Sequence, residues 1–394
     1  MSKTTYTFWT MIGIVAISGL SQGMLLPAIA MIFEKEGVSS SLNGFHATAL
    51  YMGILLISPF LEKPMQRFGM KPIILFGTSL VVVAIFFFTQ TFSFWIWFVL
   101  RFFVGIGDHM LHVGTQTWIT TTSDPRKIGR NVSIYGAFFS IGFAIGPSLA
   151  STVQYGLATP FIISTVLCCL SWLFILPIQN TFPEQAKENK LESSVTRYKK
   201  VLTLSWIALL GPFVYGLLEG MLNSNFPVYA IRKGLSIQEI SFLLPAFAIG
   251  GIITQVPLGM LSDRYGRARV LTWVFIGGAA TFFLTGLVDQ HYWLLFVMVF
   301  VSGMIVGSSF GLGLGYMADL LPKYLLPAGN IICGIAFSFG SIIGPIFGGI
   351  FIQAMKDVSF FMSIAVLLFV VAVVYITNKK KDVEEEVPEK VGNF

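Results

Sequence analysis

Charged residues are scarce in this sequence: Asp, Glu, Lys and Arg make up 11% of its 394 residues, and hydrophobic residues make up 55%. An ordinary soluble domain carries about 25% charged residues. The chain repeatedly runs for about 20 residues with few or no charges, which is the length at which a helix spans the hydrocarbon layer of a bilayer. The composition therefore excludes a single soluble domain and indicates a multi-pass membrane protein.

Cysteine and histidine are also sparse, which limits the chemistry that the chain can carry. The three cysteines lie in apolar runs without metal-ligand spacing and are expected to be buried helix residues: Cys168, Cys169 and Cys333. The four histidines form neither a His-x-x-x-His pair nor an HExxH motif, and the sequence contains no P-loop. We therefore predict no metal, no cofactor and no ATP-driven pumping.

Twelve apolar segments are long enough to cross a membrane, and runs of this length satisfy their backbone in lipid as helices. They cover residues 8–33, 43–61, 72–92, 94–120, 131–152, 159–178, 201–230, 239–261, 268–288, 292–318, 327–354 and 357–377. The sequence thus predicts an all-α integral membrane protein made of two six-helix bundles, residues 1–178 and 201–377. A linker, residues 179–200, joins the bundles, and a tail, residues 378–394, follows them.

The Lys and Arg residues predict the orientation of these spans, because cytoplasmic loops carry an excess of both. With the N-terminus inside, 20 of the 25 Lys and Arg residues fall in cytoplasmic segments, four fall outside and Arg101 lies within a span. We therefore expect a protein of the plasma membrane with both termini, the linker and the tail in the cytoplasm. The same bias accounts for the net charge of +6 without a nucleic-acid partner.

The two halves of the chain repeat each other. "GLSQGML" (residues 19–25) returns as "GLLEGML" (216–222), "QRFGMK" (66–71) as "DRYGRA" (263–268), and "GFAIGP" (142–147) as "GSIIGP" (340–345). The matches occur in order at an offset of 197 or 198 residues. Parallel six-helix repeats around a central substrate site are a transporter architecture.

Three motifs resemble the major facilitator superfamily, and most closely its twelve-helix proton-coupled drug antiporters. "GMLSDRYGRAR" (residues 259–269) is similar to the family's loop motif, and "RFFVGIG" (101–107) is similar to its fourth-helix motif. "GFAIGP" and "GSIIGPIFGG" resemble its antiporter motif on helices five and eleven. The resemblance covers the whole chain. It implies a monomeric transporter that moves a small molecule and protons across the lipid bilayer and is not an enzyme.

The loop motif implies a gate, because contacts at a cytoplasmic helix end that break when the halves move would bias inward-facing against outward-facing states. Its first copy departs from the family pattern, since Gln66 stands where the second copy has Asp263. The gating residues are predicted to be Gly259, Asp263, Arg264, Gly266, Arg267, Arg67 and Gly69. The antiporter motif is predicted to allow close helix packing through Gly142, Gly146, Pro147, Gly340, Gly344 and Pro345.

A polar stripe runs along the fourth span. At about 100° per residue, Arg101, Asp108 and His112 fall on one line of a helix whose other faces are apolar, and His109 lies at its edge. A charge at the centre of a bilayer costs at least about 2.5–3.5 kcal/mol, so the stripe is expected to face a water-filled cavity. Arg101 is expected to pair with a residue of another helix.

A low-dielectric environment disfavours the charged form of a carboxyl group, and a nearby cation favours that form. A movement of the cation would therefore load or release a proton. The predicted proton-coupling residues are Asp108, Glu219, His109 and His112, with Arg101 as their modulator. The alternative is a structural polar network that locks the helices together. Asp289 and Asp319 lie near helix ends and are expected to be solvated.

The family resemblance implies that helices one, four, seven and ten line the substrate cavity. Its predicted lining residues are Gln22, Gln116, Tyr215, Asn223, Ser309 and Tyr316. Acids combined with aromatic rings favour an exporter of amphipathic or cationic compounds. An uptake symporter or facilitator for a small polar or anionic metabolite is the alternative, with Arg101 as a ligand. A metal carrier or an intramembrane enzyme is a third possibility.

Overall fold

The computed structural model describes residues 3–90, 93–122, 128–182, 194–322 and 325–385, and these residues form helices without any β-strand. The α-helices are α1 (Lys3–Lys35), α2 (Ser40–Ile57), α3 (Glu62–Phe68), α4 (Met70–Phe87), α5 (Phe94–Thr122), α6 (Ile128–Ala150), α7 (Thr159–Ile175), α8 (Ser194–Gly220), α9 (Phe226–Arg232), α10 (Ile237–Tyr265), α11 (Arg267–Val288), α12 (Tyr292–Val306), α13 (Ser309–Leu320), α14 (Leu326–Ala354) and α15 (Phe360–Glu385). The predicted all-α fold class is confirmed.

The membrane spans follow from helix length and composition. In the described residues, 10 helical segments are long and apolar enough to cross a membrane, and Thr159–Ile175 is a shorter apolar helix. Ser40–Ile57, with 18 residues, accounts for the remaining span of a twelve-helix fold. The second span ends before its predicted limit because Pro59 follows; a 3-10 turn, Ser58–Phe60, leads from it into α3.

Two spans are interrupted, and neither interruption is visible in the hydropathy of the sequence. In the seventh span a π-helical turn, Met221–Asn225, separates α8 from α9. In the tenth span α12 ends at Val306 and α13 begins at Ser309, with Gly307 and Ser308 between them. Single π turns inside helices are frequent at functional sites, and this one directly follows the turn of α8 that carries Glu219.

The chain divides into two compact units. The first contains the described residues of Met1–Lys190, Glu219–Pro245 and Ser341–Ala354, and the second contains those of Leu191–Leu218, Ala246–Gly340 and Met355–Phe394. This division by compactness differs from the division by sequence repeat, because the first unit includes two segments of the second repeat. The six-helix bundles of residues 1–178 and 201–377 stay a prediction.

Glycines let the helices of the first unit approach closely. Gly142 lies against the backbone of Ala16, and Gly146 lies against the backbone of Gly23, so neither has room for a Cβ atom. These contacts join α6 to α1. Gly105 of α5 lies in the same way against Leu50 of α2. These contacts are consistent with a packing role for Gly142 and Gly146, and they bring α6 close to α1 as Gly105 brings α5 close to α2.

The segments of the second repeat that belong to the first unit are held by polar contacts. Arg232 of α9 forms a two-pronged ion pair with Glu34 of α1, with Nε to Oε1 at 2.7 Å and Nη2 to Oε2 at 3.1 Å. Asn225 donates to the carbonyl oxygen of Pro345 at 3.1 Å. The ring of Pro345 lies where a Cβ of Gly220 would be. Pro345 thus packs against the seventh span.

The second unit packs on small residues as well. Gly340 of α14 lies against the carbonyl oxygen of Phe213, and Gly211 of α8 lies against the backbone of Ser309 and Gly313. Tyr375 of α15 is buried and its hydroxyl donates to the carbonyl oxygen of Ile207 at 2.8 Å. Of the other predicted packing residues, Pro147 lies inside α6 and Gly344 is buried in α14.

Candidate functional site

The carboxyl group of Asp108 is the centre of a buried polar cluster between α1 and α5. Ser18 Oγ donates to Asp108 Oδ1, and Gln22 Nε2 donates to Asp108 Oδ2. Ser18 and Gln22 are one helical turn apart on α1, so both oxygens of the carboxyl group face the same helix. Asp108 was predicted as a proton-coupling residue and Gln22 as a cavity residue, and the structure brings the two side chains together. Ser18 was not among the predicted residues.

His112 adjoins the same cluster one turn further along α5. Its Nε2 lies 3.1 Å from Ser18 Oγ, 3.3 Å from Gln22 Nε2 and 3.6 Å from Asp108 Oδ2. Its Nδ1 lies 2.6 Å from the hydroxyl of Tyr135 on α6. The imidazole is therefore held at both nitrogens, with one facing the acid and one facing Tyr135.

Tyr135 is a further member of the cluster. Its hydroxyl lies 3.4 Å from the carbonyl oxygen of His112, to which it donates, and 3.4 Å from Thr115 Oγ1. The ring of Phe139, one turn later on α6, lies edge-on to the imidazole of His112 at 5.0 Å between centroids. These contacts leave His112 little freedom to rotate.

Arg101 belongs to a second buried cluster, between α5 and α2. Its Nη1 donates to Nδ1 of His46 at 2.9 Å, and both side chains are fully buried. Because arginine has only donors, His46 accepts at Nδ1 and carries its proton on Nε2. Nε and Nη2 of Arg101 and Nε2 of His46 have no hydrogen-bond partner among the described residues. As predicted, Arg101 finds its partner on another helix.

Glu219 lies near this second cluster through Tyr51 of α2. The hydroxyl of Tyr51 donates to Glu219 Oε1 at 3.4 Å, and Tyr51 is close enough to Arg101 for an electrostatic interaction. Asn223 Nδ2 donates to the carbonyl oxygen of Glu219 at 2.9 Å. Glu219 thus contacts Tyr51 and Arg101 contacts His46, whereas Asp108 contacts Ser18, Gln22 and His112.

His109 lies apart from both clusters. Its Nε2 is 2.9 Å from the hydroxyl of Ser58, which itself donates to the carbonyl oxygen of Ile54. His109 therefore donates to Ser58 and ties α5 to the end of α2. Among the described residues, no hydrogen bond or ion pair joins His109 to Asp108, so its predicted proton-coupling role stays a prediction.

The predicted cavity residues of the seventh and tenth spans lie among aromatic rings and small residues. The ring of Tyr215 is 6.2 Å from those of Phe310 and Phe337, and all three are partly exposed. Ser309 is fully buried and its hydroxyl has no partner among the described residues. Tyr316 of α13 is buried, and Gln116 of α5 is exposed.

The second copy of the loop motif forms an ion-pair chain on one guanidinium group. Arg267 Nη2 lies 3.0 Å from Asp263 Oδ1, and Arg267 Nε donates to Asp319 Oδ2 at 2.7 Å. Arg267 thus joins the ends of α10 and α13. The expectation that Asp319 would only be solvated is wrong, because it pairs with Arg267, although 56% of its side chain is exposed. Asp289 is buried and not solvated.

The two copies of the loop share a backbone turn and differ in charge. Gly69 and Gly266 have φ of 86° and 88° and precede α4 and α11; this conformation favours glycine. Arg67 lies over the ring of Phe68, as Arg264 lies over that of Tyr265. In the first copy, Asn180 closes the turn by donating to the carbonyl oxygen of Phe68. Gly259, further back on α10, has no atom near its Cβ position.

The described part of the chain holds no cluster of metal-ligating side chains. No group of three or more His, Cys, Asp or Glu side chains there is arranged to hold an ion.

A family model described as Major Facilitator Superfamily matches residues 11–237 and 208–393. An uncharacterized MFS-type transporter of Bacillus subtilis, YfkF, is 47% identical over 377 residues, which are 95% of this chain and 96% of the relative. YcaD of Shigella flexneri, also an uncharacterized MFS-type transporter, is 25% identical over 73% of each chain.

Two solved structures resemble this fold. A variant of the nucleoside transporter NupG has a TM-score of 0.80 at 13% identity, over 94% of this chain and 99% of that one. A bacterial homolog of the human lysosomal transporter Spinster, inward-facing and unoccupied, has a TM-score of 0.76 at 13% identity, over 99% and 100%. At these identities the likeness shows the fold alone.

The chain therefore belongs to the major facilitator superfamily. It is a multi-pass membrane transporter of small molecules and not an enzyme, so the intramembrane enzyme considered from the sequence is wrong.

Proposed function

We propose that this chain is a proton-coupled secondary transporter that works by alternating access, with Asp108 as its proton-carrying group. Asp108 is buried, and its contacts among the described residues are Ser18, Gln22 and His112, none of them Lys or Arg. Acids within membrane spans are costly and mark proton and substrate pathways. A carboxyl group held by neutral donors can exchange a proton without breaking an ion pair.

We propose export of amphipathic or cationic compounds in exchange for protons as the transport reaction. Cations are attracted by carboxylates and by the faces of aromatic rings. Glu219 and, one turn earlier on the same helix, Tyr215 supply one group of each kind. We also propose that the transporter is a monomer in the plasma membrane with both termini in the cytoplasm.

A second candidate function is uptake of a small polar or anionic metabolite. The observation in its favour is the buried guanidinium group of Arg101, whose Nε and Nη2 have no partner among the described residues. A guanidinium group with two free donor sides binds carboxylate or phosphate groups in pairs of hydrogen bonds. The test measures uptake of carboxylates and export of ethidium by the same cells. Uptake that is lost in Arg101→Gln, together with undetectable ethidium export, would favour this candidate.

The test of the leading proposal is ethidium transport in everted membrane vesicles under an imposed pH gradient. Asp108→Asn keeps the size of the side chain, so we expect a normal amount of protein in the membrane. Gradient-driven accumulation should fall by at least about a hundredfold, the scale at which a positioned proton-transfer group acts. Glu239→Gln, which removes a partly exposed acid of α10, is the matched control. Accumulation by Asp108→Asn at the wild-type rate would make Asp108 a packing residue.

A further inference from the structure

The hydroxyl of Ser18 lies between the acid and the imidazole of the first cluster. It donates to Asp108 Oδ1, and it lies 3.1 Å from His112 Nε2. The direct distance from Asp108 Oδ2 to His112 Nε2 is 3.6 Å, beyond hydrogen-bond length. A hydroxyl group both donates and accepts, so Ser18 completes a connection that the acid and the imidazole do not make directly.

We propose that Ser18 and His112 form the proton path between Asp108 and the cytoplasm, and that Tyr135 is the positioning residue that aims His112 at Ser18. The inference rests on the proposed function, in which Asp108 carries the proton. It adds a route and a direction to that function and assigns roles to Ser18 and Tyr135.

The transfer can be written with its protons balanced. When Asp108 is protonated, its O–H donates to Ser18 Oγ and the Ser18 O–H donates to the lone pair of His112 Nε2. Transfer moves the carboxyl proton to Ser18 and the hydroxyl proton to His112. The products are the Asp108 carboxylate, an unchanged Ser18 hydroxyl and the His112 imidazolium. The imidazolium becomes neutral again by giving its Nδ1 proton to the Tyr135 hydroxyl as that hydroxyl gives its own proton to solvent, so that one proton leaves and His112 ends with its proton on Nε2.

The direction follows from exposure and from position on α5. The side chain of His112 is 21% exposed, against 6% for Asp108. His112 lies one turn nearer the C-terminal end of α5, which is the cytoplasmic end in the predicted orientation. Gln116, a further turn along, is exposed. Exposure thus increases from Asp108 through His112 to Gln116, toward the C-terminal end of α5.

Tyr135 determines which nitrogen of His112 is free. Its hydroxyl faces Nδ1 at 2.6 Å. When that hydroxyl donates to the His112 carbonyl oxygen, 3.4 Å away, it accepts from Nδ1–H, and Nε2 then presents its lone pair to Ser18. The titratable groups near His112 are Asp108 on α5 and Tyr135 on α6, which lie beside its imidazole, and His109, which interacts with it only at longer range. Of these, Asp108 shares the Ser18 hydroxyl with His112.

The chain offers a matched control for Ser18 on the same helix. Ser21 is also a buried serine of α1, but its hydroxyl lies 2.7 Å from Ser164 Oγ and 3.3 Å from Cys168 Sγ. Ser21→Ala therefore removes a buried hydroxyl from α1 without touching the proposed path. Ser18→Thr keeps the hydroxyl and is the conservative variant. Tyr375→Phe, which removes a buried hydroxyl of α15, is the control for Tyr135→Phe.

The experiment follows proton uptake by the purified full-length protein and needs no substrate. After a rapid jump from alkaline to acidic pH, time-resolved infrared spectroscopy records the carboxylic acid band, and the part lost in Asp108→Asn is assigned to Asp108. We expect this band to appear at least about tenfold more slowly in Ser18→Ala and Tyr135→Phe, as expected when a positioned proton-transfer group is lost. Ser18→Thr, Ser21→Ala and Tyr375→Phe should keep the wild-type rate.

The outcomes separate this path from the function on which it rests. Equal rates in Ser18→Ala and Ser21→Ala would overturn the path while leaving Asp108 as the proton carrier. A spectrum in which Asp108→Asn removes no band would contradict the proposed function itself. If Ser18→Ala unfolds, the comparison of Tyr135→Phe with Tyr375→Phe still tests the path. Tyr135 contacts Nδ1 of His112, whereas Ser18 faces Nε2.

Discussion

At the scale of single residues, the two intramembrane acids are held in different ways, and this predicts different roles for them. Both oxygens of Asp108 accept hydrogen bonds from α1, and the side chain is buried. Glu219 has one bond of 3.4 Å from Tyr51 and is only partly buried. A more accessible acid with a weaker contact is better suited to bind a cationic substrate than to hold a proton.

We therefore expect Glu219→Gln to raise the KM for ethidium about tenfold and to change the maximal rate little. Tenfold corresponds to about 1.4 kcal/mol, the scale of one lost ionic contact. The measurement is the initial rate of gradient-driven transport against ethidium concentration, with Glu239→Gln as the control. A variant with unchanged KM that no longer responds to the pH gradient would show that Glu219 shares the proton with Asp108.

The sequence predicted the acids and His112 because charged side chains are conspicuous in apolar helices. The hydroxyl groups of Ser18, Tyr51 and Tyr135 carried no such signal, since serine and tyrosine are common in membrane helices. Their roles depend on which turn of α1, α2 or α6 faces α5. That register depends on contacts between helices, such as Gly105 of α5 against Leu50 of α2, and not on the pattern of any one helix.

At the scale of elements, the end of α10 is joined to that of α13 by one side chain, Arg267. The two ion pairs, to Asp263 and Asp319, involve acids that are 66% and 56% exposed. Exposed pairs of this kind contribute about 0–1 kcal/mol to stability. Such contacts are weak enough to break and reform during a transport cycle, which suits a gate better than a permanent structural tie.

Asp263→Asn is accordingly expected to slow ethidium transport several-fold while the unfolding temperature and the expression level stay near those of the wild type. The matched control is Gln66→Asn, at the equivalent position of the first repeat, where the side chain is uncharged. Transport rates and thermal unfolding of both variants are compared in the same membranes. If Gln66→Asn is the more sensitive of the two, the functional gate lies in the first copy of the loop.

The sequence placed each span to within a few residues but could not show the interruptions of the seventh and tenth spans. Hydropathy averages over a whole span, so one inserted residue at Met221–Asn225 leaves the average unchanged. The run "VGSS" (residues 306–309) at the second interruption allows a helix as well as a break. Both interruptions depend on packing between helices, which the sequence pattern of a single span does not record.

At the scale of the whole molecule, the repeat visible in the sequence returns in the backbone and side chains. Two of the glycines with positive φ, Gly69 and Gly266, are 197 residues apart, and so are the arginine–aromatic pairs that begin at Arg67 and Arg264. Such agreement is expected when two halves share one fold. The repeat was readable because loop glycines and charges are fixed by local backbone geometry, whereas the polar clusters require contacts between distant helices.

The orientation of the whole molecule is the last prediction, and it follows from the excess of Lys and Arg on one side. In a variant with Cys168, Cys169 and Cys333 replaced by Ala, a single cysteine is introduced as Gln185→Cys or Lys380→Cys. Gln185 lies outside the described residues. A membrane-impermeant maleimide should label both variants only after the cells are permeabilised. Lys233→Cys, at an exposed position after α9, should be labelled in intact cells. Labelling of the first two in intact cells would reverse the orientation, and with it the direction of the path from Asp108 to His112.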